Sequence, residues 1–288
     1  MNIGIVTSWF ERGAAYVSRQ YRQVLETEHS IHIFARGGET RAIGNPIWDV
    51  PRVTWSKVSG NPLAQGLDLE QFKRWINNNR LELIFFNEQR WWAPVILANR
   101  LGIKTGAYVD YYTENTVPLF GCYDFLVCNT LRHWSVFNWH PSSYYIPWGT
   151  DLSLFKPYST NPVNPEFVTF FHSAGYSPAR KGTDLVLQAF RKLKGTSRLV
   201  VHSQNSLQED LPESASLIRE LEQTGVLSIH ERTVPAPGLY HLGDVYVYPS
   251  RIDGLGLTIA EALACGLPAI VSDNPPMNEF IGSDNGRL

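Results

Sequence analysis

Two carboxylates eight residues apart, Asp253 and Glu261, frame the stretch of this sequence richest in chemical content. Asp253 opens a glycine-punctuated turn, Asp253-Gly254-Leu255-Gly256, and Glu261 lies in the helical run Thr258 to Cys265 that follows. The turn leaves an apolar strand pattern, Asp244 to Tyr248, and the helix returns to the apolar strand Ala269 to Val271. The result is one βαβ unit with an acidic, glycine-containing mouth. If the helix starts at Leu257 or Thr258, its unbonded amides and positive dipole end point into that mouth, where a diphosphate would be stabilised. Asp253 cannot itself welcome phosphate and reads as an acceptor for neutral hydroxyls, while Glu261, one turn along, could take a diol such as a ribose. Thr258-x-x-Glu261 also has the spacing of a capping box, in which the Glu closes back on the first amides of its own helix.

A second polar group precedes another helix. The apolar strand Phe167 to Ser173 leads through Tyr176, Arg180 and Lys181 to a helix over Asp184 to Leu193. A cation near a helix N-terminus is disfavoured unless an anion occupies the site, so Arg180 and Lys181 read either as phosphate ligands or as a solvated surface pair. In the first half, the strands Leu81 to Phe86 and Lys104 to Val109 end in Asn87-Glu88-Gln89-Arg90-Trp91-Trp92 and Asp110-Tyr111-Tyr112. Such mixtures of hydrogen-bonding groups and flat rings suit a sugar-facing or lipid-facing wall, with Asp110 placed to orient an acceptor hydroxyl. The alternative is that Trp91 and Trp92 plug the packing of the next helix.

The elements that position these groups alternate strand and helix from the start. Asn2 to Ser8 is a buried strand, Tyr16 to Glu26 a helix after the small-residue turn Gly13-Ala14-Ala15, and Ile31 to Ala35 a strand, as in a doubly wound parallel sheet. The segment 36–67 reads as irregular, Leu69 to Asn79 as a helix, and Leu211 to Gln223 as a single amphipathic helix. No G-x-G-x-x-G follows the first strand, which argues against a dinucleotide-dependent oxidoreductase. The chain has 288 residues, enough for two cores. Its 25 basic and 27 acidic side chains leave a net charge of −2 with no basic block, so the footprint of a nucleic-acid binder is missing. Three scattered cysteines make no disulfide framework, and the histidine spacing predicts no metal site. The first residues lack the pattern of a secretory signal, and no apolar stretch approaches the length of a transmembrane helix. A soluble, cytoplasmic protein is expected, with peripheral membrane contact and homo-oligomer formation left open.

The stretch Asp253 to Pro268, with its acidic residue, seven spacers, Glu261 and the run Ala262-Leu263-Ala264-Cys265-Gly266-Leu267-Pro268, resembles the signature of the retaining glycosyltransferases of family 4 (group 1). Tyr145-Ile146-Pro147-Trp148-Gly149-Thr150-Asp151 resembles the interdomain connector of that family. The resemblance implies a GT-B fold, an α/β architecture of two Rossmann-like domains facing across a cleft. The acceptor-side domain would span 1–150, the connector 151–165, and the donor-binding domain, C-terminally incomplete, 166–288. It further implies sugar transfer from a nucleoside diphosphate sugar of UDP or GDP type to a glycan, lipid-linked or small-molecule acceptor, with no metal or cofactor. Asp253 would hold sugar hydroxyls and Glu261 the ribose. Lys181, Arg180 and the residues Gly254, Leu255, Gly256, Leu257 and Thr258 would meet the diphosphate, Arg232 would border the base, and Gly13 with Ala14 would approach the donor phosphate. Asp253 stands where the family has Glu, and Tyr176 where it has Arg. A neutral phenol supplies no charge, which keeps a second reading open: a non-catalytic nucleotide- or glycan-binding module that supports a partner.

Overall fold

Apolar runs without alternation dominate the strands, as parallel strands covered on both faces require. The computed structural model describes residues 1–36, 41–57, 67–158, 166–193 and 195–288, and the chain divides into two units, Met1–Pro147 and Trp148–Leu288. The expected linker lies partly outside the described residues, since 159–165 are not among them.

The first unit runs β1 (Asn2–Thr7), α1 (Gly13–Leu25), β2 (Ser30–Ala35), β3 (Val53–Trp55), α2 (Leu69–Asn79), β4 (Leu83–Asn87), α3 (Ala93–Arg100), β5 (Lys104–Tyr108), β6 (Phe125–Cys128), α4 (Leu131–Phe137) and β7 (Ser143–Tyr145). Its sheet is parallel throughout in the order β3-β2-β1-β4-β5-β6-β7. Two expectations are corrected. The segment taken as irregular holds β3, which pairs with Ile33–Ala35 at the sheet edge; three residues are too few for any periodicity to show. Helix α1 begins at Gly13 rather than Tyr16, because the small residues read as a turn form its first turn, with the Ala14 carbonyl accepting from Asn87 Nδ2 at 2.7 Å. Asp68 caps α2 by accepting from the Gln71 amide, and the helix buries Phe72, Trp75 and Ile76 against Phe34 and Phe86. Each such side chain contributes about 1.5–3 kcal/mol on burial. Trp92 packs edge-on against Phe120 and Tyr123, and Trp91 also lies on this core, so the packing reading of that pair is the one observed.

The second unit runs β8 (Val168–Gly175), α5 (Thr183–Lys192), β9 (Ser197–Ser203), α6 (Leu207–Asp210), α7 (Ala215–Gln223), β10 (Leu227–Glu231), β11 (Val245–Tyr248), α8 (Leu257–Ala264), β12 (Ala269–Val271) and β13 (Gly286–Arg287). The order is β10-β9-β8-β11-β12-β13, again all parallel. The helix expected over Leu211 to Gln223 starts only at Ala215: a 3-10 turn at Pro212–Ser214 precedes it and separates α7 from the short α6, because Pro212 has no amide to continue a ladder. Tyrosines fill this core, with Tyr240, Tyr246 and Tyr248 buried beside Phe171. No helix among the described residues is long and apolar enough to cross a membrane.

In both sheets the strand order reverses at one place, between β1 and β4 in the first and between β8 and β11 in the second. Open parallel sheets bind ligands outside the carboxyl ends of strands at such a switch point. The loops that leave β8 and β11 carry Lys181 and Asp253; the loop that leaves β1 ends at Arg12, before Gly13 opens α1, and the loop that leaves β4 begins with Glu88. Gly182 lets the two second-unit loops meet. Its φ is +73°, and a Cβ there would lie 2.1 Å from the Pro249 carbonyl oxygen. Gly182→Ala therefore combines a left-handed backbone with overpacking, and should lower stability by about 1–3 kcal/mol. Thermal melts of the variant beside wild type measure that loss.

Candidate active site

The loop after β8 and the loop after β11 are fastened backbone to side chain before any functional group is considered. Arg251 donates from its amide to the Arg180 carbonyl at 2.9 Å, and from Nη1 to the Ala179 carbonyl at 2.6 Å. Its guanidinium also grips Asp184, on the first turn of α5, through two bonds of 2.7 Å. Ser250 Oγ reaches the Ile252 carbonyl at 3.0 Å.

This framework brings Lys181 to Asp253. Lys181 Nζ donates to the Asp253 carboxylate and to the Tyr248 hydroxyl, and Tyr248 donates in turn to the same carboxylate oxygen. Only 13% of the Lys181 side chain and 14% of the Asp253 side chain are exposed, while Tyr248 is fully buried. Burial alone would raise the Asp253 carboxyl, but the Lys181 charge and the bonds from Lys181 and Tyr248 outweigh it and hold the group at about 2. Asp253 is thus an ionised acceptor at any working pH, unsuited to giving up a proton. Burial and the neighbouring carboxylate push the Tyr248 phenol well above its usual range, so it stays a donor. Arg180 lies at the rim, bonded to the Ile252 carbonyl at 2.9 Å and 3.9 Å from Asp253.

Beyond Asp253, Gly254 and Leu255 lead to Gly256, which takes φ +77° at the N-cap of α8 without a side-chain cap. Ile259 N–H bonds the Gly256 carbonyl, and the amides of Leu257 and Thr258 begin the helix. The capping box does not form. Thr258 sits inside the helix with its hydroxyl buried, and Glu261 instead accepts from the Tyr240 hydroxyl at 2.5 Å. Burial pushes the Glu261 carboxyl up to about 7, against the lowering influence of that bond and of Lys181. Glu261 is therefore a poorly solvated carboxyl with one strong donor.

Lys181, Arg180, Asp253 and the turn Gly254 to Thr258 are brought together. Tyr176 follows Gly175 at the end of β8, 55% exposed, and its hydroxyl enters no hydrogen bond among the described residues. Arg232 is anchored by its backbone, its amide on the Ser203 carbonyl at 3.0 Å and its own carbonyl on His202 Nε2 at 2.8 Å. In the first unit, Asp110 hydrogen bonds with Glu88, whose carboxylate lies 3.6 Å from Arg12 and 3.9 Å from Arg36. Arg12 is the N-cap residue of α1, directly before Gly13. Arg36 also holds the Asn87 and Glu88 carbonyls at 2.9 and 2.8 Å, and Arg90 lies 4.2 Å above the Tyr111 ring.

Sequence reading missed Tyr248 and Tyr240. A signal was present for the first: in Val245-Tyr246-Val247-Tyr248 two phenols share one face of a buried strand, and a buried hydroxyl needs a partner. For Tyr240, distant in sequence from Glu261, there was none.

Residues 166–288 match the family model described as "Glycosyl transferases group 1". A GDP-mannose-dependent α-(1-6)-phosphatidylinositol dimannoside mannosyltransferase of Mycobacterium tuberculosis is 26% identical over 237 residues, covering 78% of this chain. The chain spans 59% of that relative's length. An O-antigen chain mannosyltransferase B of Escherichia coli is 41% identical over 46 residues, 16% of this chain and 12% of that protein. Among solved structures, HepE of Anabaena in complex with UDP-glucose superposes with a TM-score of 0.77 at 15% identity, over 100% of this chain and 85% of that one. The lipopolysaccharide glycosyltransferase WaaG gives 0.70 at 13% identity, over 100% and 85%. The family match lies within the second unit, and the likeness to these solved structures shows the fold, two all-parallel α/β sheets of the GT-B kind.

Proposed function

We propose that the chain transfers a sugar from a nucleoside diphosphate sugar to an acceptor hydroxyl with retention at the anomeric carbon, and that its second unit binds the donor. The observation that carries this reading is the buried Lys181–Asp253–Tyr248 cluster beside the N-terminus of α8. A cation held at low exposure beside a helix N-terminus that has no side-chain cap suits an anion, and charge-assisted bonds to phosphate are roughly twice as strong as neutral ones. Asp253, ionised and acceptor-only, suits the hydroxyls of the transferred sugar. In the step itself the bond from C1 to the diphosphate oxygen breaks and the acceptor oxygen bonds C1. The acceptor's proton passes to the departing phosphate. Lys181, Arg180 and the amides at Leu257 and Thr258 meet the charge that develops on the leaving group, so the proposal assigns that role to protein groups and not to a metal ion. Transfer should accordingly persist at full rate in excess EDTA.

Glu261 fits a ribose. Among the described residues its carboxylate accepts from Tyr240 alone, and two vicinal hydroxyls would supply further donors. The first unit, with Asp110, Glu88 and the Arg12–Gly13 turn at its switch point, is assigned to the acceptor, whether glycan, lipid-linked or small molecule. One relative's name specifies GDP-mannose and one neighbour holds UDP-glucose, so both nucleotide types belong in any donor panel. The exposed, unbonded Tyr176 favours a second reading, a nucleotide-binding module that supports an active partner. Sugar transfer by the purified chain would rule it out.

Isothermal titration with UDP, GDP and their sugar conjugates tests the donor site. Lys181→Met should weaken nucleoside diphosphate binding at least tenfold, as expected for a lost hydrogen bond to a charged group of about 1.5–3 kcal/mol. Unchanged affinity would exclude the assignment. Glu261 gives a pH signature. Its carboxyl titrates near 7 when folded and near 4.5 when free, so the folded state holds the proton more tightly and loses stability as pH rises from 4.5 to 7. Glu261→Gln should be more stable than wild type by roughly 3 kcal/mol at pH 8, a gain that vanishes below about pH 4.5. Melting temperatures across that range measure it. The same variant should bind nucleotide more weakly above pH 7, where the wild-type carboxylate is ionised.

A further inference from the structure

His172 lies in β8, one residue beyond the last pair of the β8–β11 ladder, which joins Phe170 to Val245 and Phe171 to Tyr246. There the imidazole takes over from the backbone. Its Nδ1 meets the Val247 carbonyl oxygen at 2.8 Å, and its Nε2 meets the Thr183 hydroxyl at 2.7 Å. A carbonyl oxygen can only accept, so Nδ1 carries the proton and Nε2 accepts from Thr183. His172 and Thr183 are both fully buried. Burial and the nearby Lys181 charge hold the ring down at about 4, so this single tautomer persists through neutral pH.

The two residues it joins flank the donor-site cluster. Val247 precedes Tyr248, which bonds Lys181 and Asp253; Thr183 opens α5 two residues after Lys181. We infer that His172 is a positioning residue for Lys181: by bridging the Val247 carbonyl to the Thr183 hydroxyl, it fixes the Lys181 turn against β11 and aims the ammonium at the diphosphate of the donor. This rests on the donor-site reading above. Other bonds also join these loops, but those of Arg180, Arg251 and Ser250 act at residues 179, 180 and 184 rather than at Thr183, the first residue of α5, which His172 holds. His172 makes the link from inside the sheet.

The test compares binding of UDP and GDP with binding of uridine and guanosine, which lack the diphosphate that Lys181 would meet. Thr183→Val removes one bond at nearly constant volume and His172→Phe removes both. Each should weaken nucleoside diphosphate binding about fivefold or more while nucleoside binding stays within about twofold. Thr183→Ser restores the hydroxyl and should restore the affinity. In a Lys181→Met background the effect of Thr183→Val should disappear, because the bridge acts only through that ammonium. Equal losses for nucleosides and diphosphates, a loss that persists without Lys181, or no loss at all would overturn the positioning role. If Lys181→Met leaves diphosphate binding unchanged, or wild type binds no nucleotide, the donor-site reading falls and this inference with it. Should His172→Phe fail to fold, the Thr183 variants decide the matter alone.

Discussion

Burying an ammonium group is costly unless a counter-charge is buried with it, and the second unit is arranged around that requirement. Lys181 and Asp253 are 72 residues apart and reach each other only because β8 and β11 are neighbours at the switch point of their sheet. Everything local serves that meeting. Gly182 allows close approach to Pro249, Arg251 ties the loops by its backbone and by Asp184, and Tyr248 hydrogen bonds both members of the pair. Without ligand the protein thus supplies its own anion to Lys181.

The first unit repeats the topology with a different chemistry. At its switch point Glu88 adopts φ +52°, a left-handed conformation that costs a non-glycine residue about 1 kcal/mol or more. Two backbone carbonyls held by Arg36 and a carboxylate flanked by Arg12 and Arg36 maintain it. Burial would raise the Glu88 carboxyl, yet the bond with Asp110 and the surrounding guanidiniums hold it below the ordinary range. Acidic groups at both switch points are therefore kept charged by cations, one lysine in the second unit and several arginines in the first.

Much of this was readable from sequence where a rule ties residue type to local geometry. The strand-turn-helix at Tyr248 to Ala264, the helix Leu69–Asn79 and the strand Ala269–Val271 follow from periodicity and glycine placement, and the structure has them within a residue or so. Pairings across the sheet were not readable. Nothing local told Lys181 from a surface lysine, announced that Tyr240 rather than a helix amide would bond Glu261, or marked His172 as a bridge. Each of those depends on groups that the chain brings together only on folding, across 21 residues for Tyr240 and Glu261 and across 72 and 75 for Lys181 and His172 with their partners in or just after β11. The short β3 is illegible for a different reason, since three residues give no period to detect, and the amphipathic pattern over Leu211 to Gln223 extends past Pro212, where the helix itself does not.

The two cores differ in their aromatic content. Tryptophans such as Trp9, Trp48 and Trp75 fill the first unit, and tyrosines at 240, 246 and 248 fill the second. Every tryptophan except Trp148 precedes residue 148, the first residue of the second unit. Light absorbed at the red edge of the protein spectrum is consequently taken up almost entirely by one half of the chain. The core of the second unit, by contrast, is visible chiefly through its phenols, so each half carries its own optical label.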